Sequence, residues 1–417
     1  MAAPDEADRA AEAGGLAPSG GARRITIVGP THPYKGGIAQ HTTELAHRLA
    51  ALGHDVRIES WSAQYPARLY PGQQRVDVPE MEPFTPTGYP LSWRRPDGWP
   101  RLGRRLRATA DVVVIVVVTP IQAPAYLGIL AGLGGRRRRR AGTPAVLALC
   151  HNVLPHERRP VDEPLIRAVL RRADAVLVHT DAEAARAAAL TGAPVHVAAM
   201  APHLWDAPRF RTTPHIRDDA RSPSDEPGPA AGADEPGNSG EPKRRLLFFG
   251  LVRPYKGLDV LLRALAQGPS DVALTVAGEF WGGVETTRAL IAELGLADRV
   301  ELRPGYVDAA EVPGLFAAAD ALVLPYRAGT ASQNVDLAHL HGLPVVATTV
   351  GALPAAVTDG VDGLLVAPDD PAALATALRR LYEPGVLEAL TAKVHPPDTA
   401  GGWDRYLDAL TAAVRVQ

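Results

Sequence analysis

A single cysteine, Cys150, stands in the 417-residue chain. That excludes an intrachain disulfide framework and fits a reducing compartment. No apolar run approaches the ~20 residues that a membrane-crossing helix needs. Val112 to Val118 has only the length of a buried strand. No targeting segment is expected at the start of the chain, since Asp5, Glu6, Asp8 and Glu12 lie among Ala and Gly where a signal or transit peptide would be apolar or basic. Neither sign of charge is in excess. The formal charge of −2 lacks the basic footprint of a general nucleic-acid binder, so no nucleic-acid partner is expected. No GxGxxG follows either opening strand, which argues against a dehydrogenase. The expected setting is cytoplasmic, with peripheral contact at the inner membrane face as the furthest allowance.

Hydrophobic residues make up 46% of the chain, enough for a core in each of the two domains that its length favours. Residues 1–22, rich in Ala and Gly and without period, are expected to be disordered. So are 206–243, where Pro, Gly, Ser, Asp and Glu leave almost no large apolar side chain. Residues 23–205 form the first expected domain and 244–385 the second. Residues 386–417 carry a terminal helix whose apolar face, with Trp403, Tyr406, Leu407, Leu410 and Val414, is expected to return to the first domain.

Arg24 to Gly29 reads as a strand that opens into a loop at Pro30–Gly37. A helix follows, with Ile38, Leu45, Leu49 and Leu52 on one face and Gly53 past its end. Further strands are expected at 54–58, 111–118, 145–150, 174–179 and 195–200. The second half repeats the pattern at 246–249, 273–277, 300–302, 321–324, 344–347 and 363–366, with helical segments between. Continuous apolar runs alternating with helices predict two α/β, Rossmann-like, doubly wound parallel sheets. Ser60 to Pro100, rich in Pro and Trp, is expected to form long loops over one face.

The most informative stretch runs from Leu246 to Asp259. Four apolar residues enter Gly250, and Leu258, Leu261, Leu262 and Leu265 begin a helix just after Gly257. Arg253 and Lys256 lie between, in a loop at the carboxyl end of a parallel strand. Such a loop already offers N–H groups and a positive dipole end to an anion. A guanidinium fork and an ammonium added there suit a diphosphate; the alternative is that both cations merely solvate a turn. The Gly36–Gly37 pair, directly before a helix, lets a ligand approach the backbone, or is simply a flexible loop.

His151 stands at the carboxyl end of the 145–150 strand, where it can bond a substrate hydroxyl or cap the strand. His151 and His156 lack an acidic or thiol companion at ligand spacing, so no metal site is expected. Glu279 ends another strand and faces the cleft or caps a helix. Thr330, Ser332, Gln333 and Asn334 sit in a loop whose small and hydroxylated residues free N–H groups for an anion. Asp336 can bond a ribose diol or serve as a first-turn helix charge. The run Arg136–Arg140 can meet an anionic membrane surface or remain a solvated loop.

Together these segments resemble the retaining glycosyltransferases of the GT4 family, which have the GT-B fold. The resemblance rests on Gly36-Gly37-Ile38, Cys150-His151-Asn152 with Pro155-His156-Glu157, and Gly250 through Arg253 to Lys256-Gly257. Gly342 to Thr348, Gly351 to Pro354 and Asp359 to Val366 complete it. It covers most of 24–205 and 245–383. It implies two domains facing a cleft, with a nucleotide-sugar donor held by the second and an acceptor by the first. Arg253 and Lys256 would bind the diphosphate and stabilise the departing charge without a metal or other cofactor. His151 would contact the transferred sugar. Gly36, Gly37, Gly250, Glu279, Thr330, Ser332, Gln333, Asn334 and Asp336 would surround the donor, and Tyr34 and His156 would face the acceptor. That acceptor would be a glycan, a lipid-linked molecule or a small molecule.

One departure stands out. Most members carry two glutamates eight apart before the Gly-x-Pro-Val strand, and this chain has Gly329 and Leu337 there. Some branches carry a loop like Ala331-Ser332-Gln333 instead. The alternatives are a nucleotide-sugar epimerase and a non-catalytic homologue that binds the nucleotide-sugar without turnover.

Overall fold

The computed structural model of the chain describes residues 21–66, 73–79, 81–134, 143–203 and 244–415. The expectations for 1–20, 206–243 and Arg136–Arg140 fall outside them. The first domain holds β1 (Arg24–Val28), α1 (Gly37–Ala51), β2 (Asp55–Ala63), β3 (Thr87–Ser92), α2 (Gly98–Thr109), β4 (Val112–Val117) and α3 (Ala123–Gly132). It continues with β5 (Ala145–Cys150), α4 (Asp162–Leu170), β6 (Ala175–Val178), α5 (Asp181–Ala188) and β7 (Val195–Val197). The second holds β8 (Arg244–Phe249), α6 (Leu258–Gln267), β9 (Val272–Gly278), α7 (Glu285–Glu293), β10 (Val300–Pro304), α8 (Val312–Ala317) and β11 (Ala321–Leu324). Then come α9 (Gln333–Leu340), β12 (Val345–Thr348), α10 (Leu353–Ala356), β13 (Gly363–Val366), α11 (Pro371–Leu381), α12 (Val386–Thr391) and α13 (Thr399–Arg415).

Both sheets are parallel. Their strand orders are β3-β2-β1-β4-β5-β6-β7 and β10-β9-β8-β11-β12-β13. Period-2 alternation divides each central strand between two cores. Val113, Ile115 and Val117 of β4 face one core and Val112, Val114 and Val116 the other, which is why the strand is apolar throughout. Leu246 and Phe248 of β8 likewise part from Leu247. In each sheet the order reverses beside the first strand, between β1 and β4 and between β8 and β11. A crevice opens at that point at the carboxyl ends of the strands, and it places the loops after β1 and β8 where an α/β sheet receives its ligand.

Trp403, Tyr406, Leu407 and Leu410 of α13 pack with Ile25, Ile27, Leu45 and Val114 of the first domain. The tail before it belongs elsewhere: Leu390 of α12, with Val386 and Leu387 beside it, joins the core of the second domain. The long-loop expectation for Ser60 to Pro100 is corrected. That stretch contains the end of β2, all of β3 and the start of α2. Pro90 within β3 hid the strand, and four arginines with few large apolar residues between them, Trp99, Leu102 and Leu106, hid the helix.

Candidate active site

Each domain's first strand ends in a loop that leads into a helix, and the two loops repeat a tetrapeptide. Pro33-Tyr34-Lys35-Gly36 precedes α1, and Pro254-Tyr255-Lys256-Gly257 precedes α6. Gly36 is the N-cap of α1 with φ 93° and no side-chain cap, so the first N–H groups of that helix stay open to a ligand. Gly257 is left-handed, with φ 67°, and a Cβ there would lie 1.9 Å from the Pro325 carbonyl oxygen. Strain and overlap together cost about 2–6 kcal/mol. Gly257→Ala is therefore expected to lower unfolding free energy by at least about 2 kcal/mol in chemical denaturation; an unchanged midpoint and slope would show that the turn can rearrange freely.

Between the two loops lies a cavity of about 350 Å³. The first domain contributes Lys35, Gly36, Gly37, Gln40 and His203 to its wall, and the second contributes Gly250, Glu279, Tyr306, Gln333, Asn334 and Leu337 among others. Lys35 crosses the gap to form an ion pair with Glu279, and its ammonium lies 4.3 Å from the Tyr306 ring centroid. The Gln73 N–H donates to the same carboxylate at 3.0 Å. Sequence reasoning passed over Lys35, although the repeated tetrapeptide marks it as the counterpart of Lys256.

Arg253 also crosses between domains, to the carboxylate of Glu157, with its guanidinium 4.9 Å from the Trp281 ring centroid. Lys256 donates to the Tyr326 hydroxyl at 2.6 Å. Burial opposes the charge on Lys256, but the phenol oxygens of Tyr326 and Tyr255 outweigh it and hold its pKa above the ordinary lysine value. Tyr326 in turn meets Ser332 Oγ and Asn334 Nδ2, each at 3.4 Å, and Asn334 Nδ2 donates to the Phe249 carbonyl at 2.9 Å. This network joins the loops after β8 and β11. Arg327 braces it from below, with both guanidinium forks 2.7 Å from Asp259 and a third bond to the Pro254 carbonyl at 3.0 Å. Neither Arg253 nor Lys256 lines the cavity; they follow its Gly250 and Leu251 wall in the chain.

The other expected residues divide between the wall and its supports. Gly36, Gly37, Gly250, Glu279, Gln333 and Asn334 line the cavity. Thr330 donates to Asn152 Oδ1 across the domains at 2.5 Å, and Ser332 caps α9. Gln333 holds the end of the first domain, accepting from the His203 N–H and donating to the Ala201 carbonyl, both at 3.2 Å. Asp336 lies outside the wall, and burial pushes its pKa up to about 6. His156 packs its ring 4.9 Å from that of Tyr255. Tyr34 lines a second, more open cavity of about 400 Å³ next to the first, with Gln64, Gln73, Arg75 and Trp93. Leu337, at one of the positions where most of the family has a glutamate, is in the wall of the first cavity.

His151 is buried in a cluster that no sequence pattern announced. His41 of α1 meets the rings of His151 and His203 edge-on, at 5.0 and 5.3 Å between centroids, and stacks on Trp403 at 5.3 Å. His179 Nε2 lies 3.3 Å from His151 Nδ1. Burial lowers the pKa of all four imidazoles, those of His179 and His203 to about 4. The members come from α1, the ends of β5 and β6, and the segment after β7, so only the folded sheet assembles them. Among the described residues no group of three or more His, Cys, Asp or Glu side chains is set to hold a metal ion. No helix among them is long and apolar enough to cross a membrane.

Two facing parallel-sheet domains, with cationic loops at both switch points and a cavity between, define the GT-B class of sugar-transferring enzymes. The family described as glycosyl transferases group 1 matches residues 243–384, and the glycosyl transferase 4-like domain matches 36–203. The D-inositol 3-phosphate glycosyltransferase 1 of Catenulispora acidiphila is 31% identical over 407 residues, spanning 91% of this chain and 90% of that protein. Its namesake in Acidothermus cellulolyticus is 29% identical over 427 residues, spanning 91% and 85%. Among solved structures, Anabaena HepE in complex with UDP superposes with a TM-score of 0.65 at 17% identity, covering 93% of this chain and 100% of that one. The chain belongs to the GT4 family of glycosyltransferases.

Proposed function

We propose that this glycosyltransferase moves a sugar, with retention of configuration and without a metal, from a nucleotide-sugar to a hydroxyl acceptor held by the first domain. The observation that carries the reading is the cavity at the two switch points, with Gly36 and Gly37 on one side and Gly250 and Leu251, the start of the loop that carries Arg253 and Lys256, on the other. Arg253 and Lys256 would take the diphosphate at the Gly250 edge and stabilise the charge that develops as the bond to the sugar breaks. The acceptor would attack on the face the nucleotide leaves, and a diphosphate oxygen would take its proton. With Gly329 and Leu337 in place of the two glutamates, the amides of Gln333 and Asn334 in the cavity wall would hold the donor. Solved structures of Anabaena HepE with UDP and with UDP-glucose support a nucleotide-sugar as the donor.

The second cavity would seat the acceptor. Its wall combines the amides of Gln64 and Gln73 with the guanidinium groups of Arg75 and Arg94, which lie over the Tyr34 and Trp93 rings. That mixture suits a polyol or sugar carrying a phosphate, free or lipid-linked. The relatives named for D-inositol 3-phosphate support the same class. The test is product analysis in EDTA with UDP-, GDP- and ADP-sugars and phosphorylated polyols. A glycoside of unchanged anomeric configuration is expected; an inverted product, or turnover only after a divalent ion is added, would contradict the reading.

Lys35→Ala is expected to weaken donor binding by about tenfold or more, because it strips the half-buried Glu279 carboxylate of its ammonium partner and leaves that charge facing an anion. Adding Glu279→Gln should recover most of the loss. A double variant as weak as Lys35→Ala alone, by calorimetry with the nucleoside diphosphate, would show that the pair plays no such part.

A further inference from the structure

The guanidinium of Arg253 is held beside the cavity rather than in its wall. The Glu157 carboxylate of the first domain pairs with it, and the Trp281 and Tyr255 ring centroids lie 4.9 and 5.7 Å away. Backbone bonds fix Trp281 next to the loop. Its N–H donates to the Val252 carbonyl at 3.0 Å, and the Val252 N–H donates to the Glu279 carbonyl at 2.8 Å. His156 packs its ring 4.9 Å from that of Tyr255, so two successive residues of the first domain, His156 and Glu157, grip the 253–257 loop. Lys256 differs, since its 2.6 Å bond to the Tyr326 hydroxyl stays within the second domain. Of the two cations, only Arg253 is tied to a carboxylate of the facing domain.

We propose that Glu157 is a positioning residue: it holds Arg253 against Trp281 between turnovers, and the donor diphosphate draws the guanidinium away from it. The inference rests on the proposed role of Arg253 in binding that diphosphate. The balance of strengths lets the exchange run both ways. The side chains of Arg253 and Glu157 are 27% and 45% exposed, so their pairing is worth only about a two- to fivefold bias. A diphosphate takes the guanidinium bidentately through charge-assisted bonds, and these win while the donor is present. The arginine swings about its own side-chain bonds between staggered positions. Glu157, half in water, keeps its charge at little cost once it is released. After transfer it competes again for Arg253, which lowers the hold of the site on the nucleoside diphosphate that remains. Glu157 therefore acts on product release, through Arg253, without touching either substrate.

The test follows the 15N–1H indole signal of Trp281 in the full chain, assigned by Trp281→Phe, while UDP, GDP and ADP are titrated in EDTA alongside calorimetry. The nucleotide that binds should move the signal towards the position it has in free Arg253→Ala. In Arg253→Ala saturated with the same nucleotide the signal should stay where it is. Glu157→Gln should bind that nucleotide about two- to fivefold more tightly, and be inhibited by it at correspondingly lower concentration. A purely structural Glu157 would give the opposite, weaker binding in the variant. Nucleotide bound by calorimetry with the Trp281 signal unmoved overturns the inference, as does equal or weaker binding by Glu157→Gln. If either occurs while Arg253→Ala binds poorly, the diphosphate role of Arg253 stands and only the exchange fails. If no nucleotide binds, or Arg253→Ala binds as well as the wild type, both fail.

Discussion

Arg253→Ala is expected to lower turnover by about two to three orders of magnitude, the loss seen when one preorganised donor to a developing anion is removed. The leaving group is a nucleoside diphosphate, and charge gathers on its oxygens as the glycosidic bond lengthens. Only an interaction that strengthens at that moment raises kcat, and a fixed guanidinium in a cleft is such an interaction. Arg253 is free to act because it holds no part of either core. Its side chain meets the Glu157 carboxylate across the gap and the rings of Trp281 and Tyr255. The variant should therefore fold and melt like the wild type. Glu157→Gln gives the complementary result, since it releases Arg253 from a competing carboxylate and should leave kcat within a few-fold of normal. Lys256→Ala should lose about as much as Arg253→Ala, with some stability lost as well because Tyr326 forfeits its 2.6 Å partner. Near-normal turnover in Arg253→Ala, measured with saturating donor, would remove it from the diphosphate site.

The second large effect is on stability against pH. His41, His151, His179 and His203 are held neutral by burial, and the last two have pKa values of about 4. In the unfolded chain each titrates near the ordinary histidine value of about 6.5. Below that pH the unfolded state takes up protons the folded state refuses, so the stabilisation is full above about pH 6.5 and is lost as pH falls towards 4. His179 and His203 alone remove about 3 kcal/mol each by pH 4. Asp336 works the other way: its folded pKa of about 6 lies above its unfolded value, so it adds stability over the same fall in pH. One carboxyl offsets roughly one imidazole, and the cluster wins. Urea unfolding at pH 7.5, 5.5 and 4.5 should show a steep decline across that range. A flat profile down to pH 4.5 would mean that the imidazoles are hydrated and charge freely.

Much of the scaffold was legible because parallel strands buried on both faces are written as short continuous apolar runs. Ala321–Leu324 and Gly363–Val366 were bounded to the residue for that reason. The loops carrying Gly36, Gly37, Arg253 and Lys256 were legible as strand-to-helix turns because Pro and Gly follow each apolar strand and a helical period follows them. Partners across the seam were not. Nothing local to Glu157 says that it faces Arg253, and nothing local to Glu279 says that Lys35 reaches it from a loop more than two hundred positions earlier. The histidine cluster is hidden for the same reason, its members being brought together only when β5, β6 and α1 take their places and α13 closes over them. Lys35 is the instructive omission, since Lys256, singled out with Arg253 as an anion ligand, stands in the same Pro-Tyr-Lys-Gly setting.

The central claim is that a nucleotide-sugar diphosphate is gripped between the domains by Arg253 and Lys256. Calorimetric titration of the wild type, Arg253→Ala and Lys256→Ala with UDP, GDP and ADP in EDTA tests it most directly. At least one nucleotide should bind the wild type, with its affinity at least about tenfold weaker in each variant. Equal affinity in all three proteins, or no binding by any of the nucleotides, would contradict the claim.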